Sequence, residues 1–304
     1  MKKDDASLPP DAERRVRKYA DLLLRKASAY GRFPTPVADL ISAAKLEIAR
    51  ESALAKFGLD RFYRSLPNAF KLAPDKIKRA AEKVLGLLDR RDRTIHLDPD
   101  AHPKRKLYVS IHEVGHDFLP HQRQTFQIIE DSEAEIDHDT HDLFEREANC
   151  FASDVLFQID AFTREAADFA MGIKVPINLA KKYGPSVYSA VRRYVATHRH
   201  PCALVVYNQP IHIVGTGEVI QLRRAVASPT FKARFGSRAW PEICGENTFF
   251  FENRPKNKFT APRAIRLKDV NGDTHACIAE AFNSTHQILF LIYPTEKPAL
   301  VLAG

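Results

Sequence analysis

The stretch HPKRKLYVSIHEVGHDFL (102–119) constrains the chain more than any other, because it fixes both a helix and what the helix presents. Leu107, Ile111, Val114 and Phe118 recur at helical spacing and form one apolar stripe. On such a helix His112 and His116 lie one turn apart and project from the same face. Two imidazole nitrogens placed so can reach one ion at about 2.0–2.1 Å, which suits tetrahedral zinc. Glu113, turned by roughly 100°, borders such an ion without ligating it. There it can take a proton from an activated water and pass it to a leaving amine. A chance H-E-x-x-H in a chain with 12 histidines arises at about the per-cent level. Gly115 costs about 1 kcal/mol relative to Ala in a helix, which points to a crowded face near the site.

Catalytic zinc takes a third protein ligand and leaves one position open. The best candidate is Glu145, at the start of EREANCFASDVLFQID (145–160), a segment with Ala148, Phe151, Ala152, Val155 and Leu156 at helical spacing. Asn149, four residues on, shares its face and is placed to hydrogen-bond a ligating histidine from behind. Glu147 points about 200° away, and the spacing predicts a solvated carboxylate.

Other elements follow from the same patterns. Val16, Tyr19, Leu22, Leu23 and Ala27 predict a helix from Asp11, after a disordered lead-in over 1–10. A second helix starts at Pro36 and buries Val37, Leu40, Ile41 and Ala44, while 51–75 is ambiguous. KVLGLLD (83–89) and RTIHLD (93–98) flank Arg90, Arg91 and Asp92 and read as a β-hairpin. Residues 120–144 lose periodicity and carry seven carboxylates: Glu130, Asp131, Glu133, Glu135, Asp137, Asp139 and Asp142. That composition predicts a solvated loop, with steering of a basic substrate as its functional alternative. Helices are expected at 163–171, 176–183 and from Val187 to about 198. Beyond Cys202 come short β-rich runs: CALVVYN, IHIVGTG, TFFFEN, AIRL, THACIAEAF and QILFLIYP. Turns are expected at Asn271-Gly272 and Asn283-Ser284, and the domain boundary near residue 200.

A length of 304 residues suits two domains, and 44% hydrophobic with 28% charged residues argues against bulk disorder. The net charge of +8 serves solubility without requiring a nucleic acid. Lys181, Lys182, Arg192, Arg193, Arg199 and His200 are read as a solvated face in preference to a DNA contact. Cys150, Cys202, Cys244 and Cys277 form no C-x-x-C pair, which excludes a local zinc ribbon and argues against a disulfide scaffold. With no apolar leader and no membrane-length stretch, a cytoplasmic location is expected. His121, His138 and His141 are candidate oxyanion donors, each more simply a surface histidine.

IHEVGHDFLP followed by EREANCFASDVLF resembles the ImmA/IrrE family of metallopeptidases, whose pattern is a HExxH helix and then E-x-x-A-[ND]-x-F-A-A-x-L-L. The hairpin GLLDRRDRTIHLD is similar to the strand pair that precedes that family's active helix, so the likeness spans about 36–160. It ends in Val155-Leu156-Phe157-Gln158, where the family commonly has L-L-M-P. The resemblance implies His112, His116 and Glu145 as ligands of one Zn2+ (or another divalent ion such as Mn2+) and Glu113 as general base. It implies an α+β chain: a mainly helical, zincin-like peptidase domain with a small sheet over 11–160, then a helix-turn-helix-like segment over 161–200. A β-rich, GAF-like sensor domain would follow over 201–304. Members cleave helix-turn-helix repressors and so induce stress, DNA-damage or mobile-element genes, which makes such a repressor the expected partner. The rival reading is a zinc-containing regulatory or antitoxin-like module that binds protein or DNA without cutting.

Overall fold

The computed structural model describes residues 8–52, 86–132 and 136–295, and they form an α+β structure. They fall into two compact units: Met1–Phe162 with Lys181–Ser186, and Thr163–Ala180 with Val187–Gly304. The helices expected at 163–171 and from Val187 to about 198 thus cluster with the β-rich part, whereas the one expected at 176–183 is divided, Lys181–Tyr183 falling in the first unit.

In the first unit α1 (Pro10–Lys26) and α2 (Val37–Ala43) lead to β1 (Glu47–Ile48). β2 (Gly86–Asp89) and β3 (Thr94–Leu97) form the expected hairpin, antiparallel with Leu88 opposite Ile95. Lys83, Val84 and Leu85 of that expectation, and most of 51–75, lie outside the described residues. The sheet order is β1-β3-β2, with β1 parallel to β3.

The helix carrying His112, α3, runs Pro103–Phe118. His102 caps it by accepting the Lys104 N–H on its ring nitrogen at 3.2 Å, and Pro103 supplies a helical φ at the first position. It stops because Pro120 disfavours helical geometry at the residue before it, and Leu119 is extended at ψ 111°.

Past that break, residues 120–132 are helical, not a loop: α4 runs Pro120–Ser132. The next helix, α5, runs His138–Leu156 and begins seven residues before Glu145. Asp137 starts it, its Oδ1 accepting the N–H groups of Asp139 and Thr140 at 3.1 and 2.9 Å. The core joins Leu23 and Leu24 of α1, Leu40 and Ile41 of α2 and Ile95 of β3 to Ile111 and Val114 of α3 and Phe151, Ala152 and Val155 of α5. The apolar stripe of α3 therefore faces inward as its period requires. A smaller contact, Phe126 of α4 on Phe144 of α5, pins α4 to α5.

Three further helices are α6 (Ala161–Ala167), α7 (Lys174–Tyr183) and α8 (Val187–Thr197). The second unit is built on a seven-stranded sheet. Its strands are β4 (Ala203–Asn208), β5 (Ile211–Ile213), β6 (Gly217–Ala227), β7 (Ile243–Cys244), β8 (Arg263–Lys268), β9 (Thr274–Asn283) and β10 (Gln287–Pro294). The order is β5-β6-β4-β10-β9-β8, with β7 paired to β6, and the described pairings are antiparallel. Asn271-Gly272 does turn the chain between β8 and β9, with Gly272 at φ 91°. The run TFFFEN is not a strand. Phe249–Glu252 forms a helical turn, α10, burying Phe250 and Phe251, which a strand's alternation would have sent to opposite faces. A further helix, α9, is Pro229–Phe235, capped by Ser228. No helix among the described residues is long and apolar enough to cross a membrane.

Candidate metal centre

His112 and His116 on α3 and Glu145 on α5 converge, their ligand atoms all within 4.8 Å of one another. The His112 and His116 Nε2 atoms are 3.1 Å apart. Glu145 reaches His116 Nε2 with Oε1 at 3.2 Å and His112 Nε2 with Oε2 at 3.4 Å. An ion bonded at 2.0–2.1 Å in a tetrahedron holds its ligand atoms about 3.3–3.4 Å apart. Each imidazole nitrogen thus meets the other, and one or other oxygen of the Glu145 carboxylate, at about that spacing, and two imidazoles with a carboxylate are a donor set zinc accepts.

The spacing of α3 and α5 sets this convergence. A Cβ on Gly115 would lie 3.1 Å from Phe151 Cδ1 and 3.3 Å from the Ala148 Cα. The crowding that Gly115 signals is thus the close approach of the second ligand helix. Ala148 stands one turn from Glu145, so the glycine lets the carboxylate reach the two imidazoles.

His112 and His116 are largely buried, with 14% and 9% of their side chains exposed, whereas Glu145 is 42% exposed. Burial opposes the charged form of His112, but Glu145 and then Glu113 beside it hold its pKa above the ordinary value. Burial likewise pushes the Glu145 carboxyl up, and the two histidines outweigh it and hold the carboxyl well below the usual range. Such a cluster is paired for charge before any cation enters.

Glu113 leaves the same helix beside β2. A Cβ on Gly86 would come within 3.3 Å of its Oε1 and 2.2 Å of Val109 Cγ1, so strand and helix meet here without room for a side chain. Asn149 is near the His112 ring and adds to holding its pKa up. Its Oδ1 accepts the Tyr108 hydroxyl at 3.0 Å, and among the described residues His112 Nδ1 is buried without a hydrogen-bond partner.

Two residues depart from the sequence reading. Glu147 is fully buried, not solvated. Its Oε1 accepts from Arg15 at 2.6 Å, and its Oε2 accepts from Gln122 Nε2 at 2.8 Å and meets His121 Nε2 at 2.5 Å. His121 is accordingly engaged with Glu147, while His138 and His141 are exposed. Gln122 was not singled out by sequence; it is buried and contacts His116 directly, Oε1 to Nδ1 at 2.8 Å. The one available signal was its place six residues past His116, behind Pro120.

Residues 75–194 match the family model described as Peptidase_M78, IrrE N-terminal-like domain. Over those residues the chain is similar to the IrrE N-terminal-like domain. The matched segment contains both helices of the centre, and a metallopeptidase family implies a metal ion there. Among solved structures, a Mycobacterium tuberculosis transcriptional regulator is similar to the chain at a TM-score of 0.48 and 10% identity, over 91% of this chain and 86% of that one. No curated protein sequence matches the chain.

Proposed function

We propose that the protein is a zinc-dependent endopeptidase, with His112, His116 and Glu145 as ligands and Glu113 as general base. The observation that carries this reading is the convergence of the two imidazoles and the Glu145 carboxylate, with nearest contacts of 3.1 to 3.4 Å and Glu113 on the adjoining face of α3. A bound zinc ion supplies Lewis acidity, polarising a peptide carbonyl and lowering the pKa of water. Glu113 accepts the proton of the attacking water and returns it to the leaving amine. Glu145, held ionised, balances part of the ion's charge, and the buried imidazoles keep the ligand set fixed. Among the described residues β2 is the edge strand beside Glu113, where an extended substrate backbone can pair.

The substrate we propose is a helix-turn-helix repressor, as the ImmA/IrrE resemblance implies, with residues 201–304 as its sensor portion and the cytoplasm as its location. The test is Glu113→Gln with a co-expressed repressor encoded by a neighbouring gene. Retained zinc with lost cleavage supports the peptidase; cleavage at the wild-type rate removes Glu113 from the reaction. A wild-type protein that binds zinc and the repressor but cuts nothing favours the non-catalytic regulatory module.

A further inference from the structure

Gln122 and Glu147 form a polar line that ends on a proposed zinc ligand, and its polarity is forced from one end. Arg15 is donor-only and permanently charged, so its 2.6 Å contact fixes Glu147 as an ionised acceptor. An ionised carboxylate can only accept, and so can the Phe144 carbonyl oxygen. Gln122 Nε2 faces both, at 2.8 and 3.2 Å, and spends one N–H on each. Its amide therefore has one admissible orientation, with Oε1 toward His116 Nδ1 at 2.8 Å. An amide oxygen there requires a proton on Nδ1. The lone pair of neutral His116 is thereby placed on Nε2, the atom that faces Glu145 and His112.

We infer that Gln122 is a positioning residue that fixes the Nδ1–H tautomer of His116, with Glu147 and Arg15 fixing Gln122 in turn. The inference rests on the zinc reading above for its purpose, but not for its geometry. Partners behind a ligating histidine fix its tautomer and ring orientation, and removing one costs about 10–100-fold in metal affinity. Gln122 is suited to this because it is fully buried, where water cannot replace the lost partner.

The test pairs two measurements on the full chain. Zinc affinity is read by competition with a chromophoric chelator in wild type, Gln122→Met and Glu147→Gln, with circular dichroism to check folding. The His116 tautomer is read by 15N shifts of the metal-free protein at roughly pH 9, above the ordinary imidazole pKa of about 6.5. Wild type should show His116 as Nδ1–H, and folded Gln122→Met should lose that preference with a 10–100-fold weaker zinc affinity. Glu147→Gln, whose amide can face either way, should fall in the same direction. An Nε2–H tautomer in wild type overturns the inference even if neither variant folds, as does a folded Gln122→Met with wild-type affinity. If wild type shows the Nδ1–H tautomer but binds no zinc, the peptidase reading fails and the positioning geometry stands. If Glu113→Gln abolishes cleavage while Gln122→Met matches wild type, only the positioning role fails.

Discussion

Gly115→Ala sets two opposed effects against each other at a close approach between α3 and α5. In an unconstrained helix Ala is favoured over Gly by about 0.8–1.0 kcal/mol. Here the added Cβ would stand 3.1 Å from Phe151 Cδ1 and 3.3 Å from Ala148 Cα. Phe151 is completely buried and Ala148 presents backbone, so neither can turn aside. Overpacking of this kind costs about 1–3 kcal/mol. The expected net loss is therefore about 0–2 kcal/mol, or a Tm lower by up to roughly 8 °C at about 2–4 °C per kcal/mol. The larger effect falls on the metal. Relieving the contact requires α5 to move by a few tenths of an ångström, and Glu145 travels with Ala148, while ligand distances tolerate about ±0.2 Å. Zinc affinity should drop by about tenfold or more, comparable to losing an outer partner of a ligand. Thermal unfolding of metal-free protein and chelator competition separate the two effects. A variant with a raised Tm and unchanged zinc affinity would refute the reasoning, since only the propensity gain would then be acting.

Gly86→Ala should cost about 1–3 kcal/mol by overpacking, because its Cβ would fall 2.2 Å from a β-branched Val109. It should also lower kcat more than it lowers zinc affinity, since Glu113 is the neighbour displaced; an unchanged Tm and kcat would show that β2 yields freely. Burial pushes the Cys202 thiol up to about 12, so it should resist an aromatic disulfide reagent near pH 8 in native protein and react in denaturant. Native labelling of Cys202 at the denatured rate would contradict its placement.

The helices of the centre were legible because their buried faces are apolar at regular spacing, as Ile111 and Val114 or Phe151 and Val155 show. The hairpin was legible from two short apolar runs around a charged turn. The helix at 120–132 was not, and Gln122 explains why. The position that should open its apolar stripe, four residues before Phe126, holds a buried amide in place of a leucine. Periodicity counts apolar residues, and a polar side chain satisfied on all sides is invisible to it. The same blindness hid Glu147, whose partners lie 132, 26 and 25 residues away in the sequence. Helix geometry gave its direction correctly, turned away from Glu145, but no local pattern says what covers that side. The phenylalanine run at 249–251 failed differently, because a β-favouring composition does not encode alternation.

Glu147 also carries an energetic argument. A fully buried carboxylate is costly even with three donors, and an apolar residue of similar volume is often as stable or more so. The first unit already holds a continuous apolar core through α1, α3 and α5, into which such a residue could extend. What an apolar side chain could not supply is a fixed direction for the Gln122 amide, since a hydrocarbon neighbour is indifferent to oxygen and nitrogen. On the proposed zinc reading, Glu145 and Glu147, two residues apart on α5, divide the work of a metal centre. One is half exposed and faces the cation site, and the other is sealed behind it and sets the polarity of a histidine. Replacing Arg15, Gln122 and Glu147 together by apolar residues should then leave a folded protein of similar stability with weakened zinc affinity. A triple variant that kept wild-type affinity would leave the buried carboxylate without a purpose at this site.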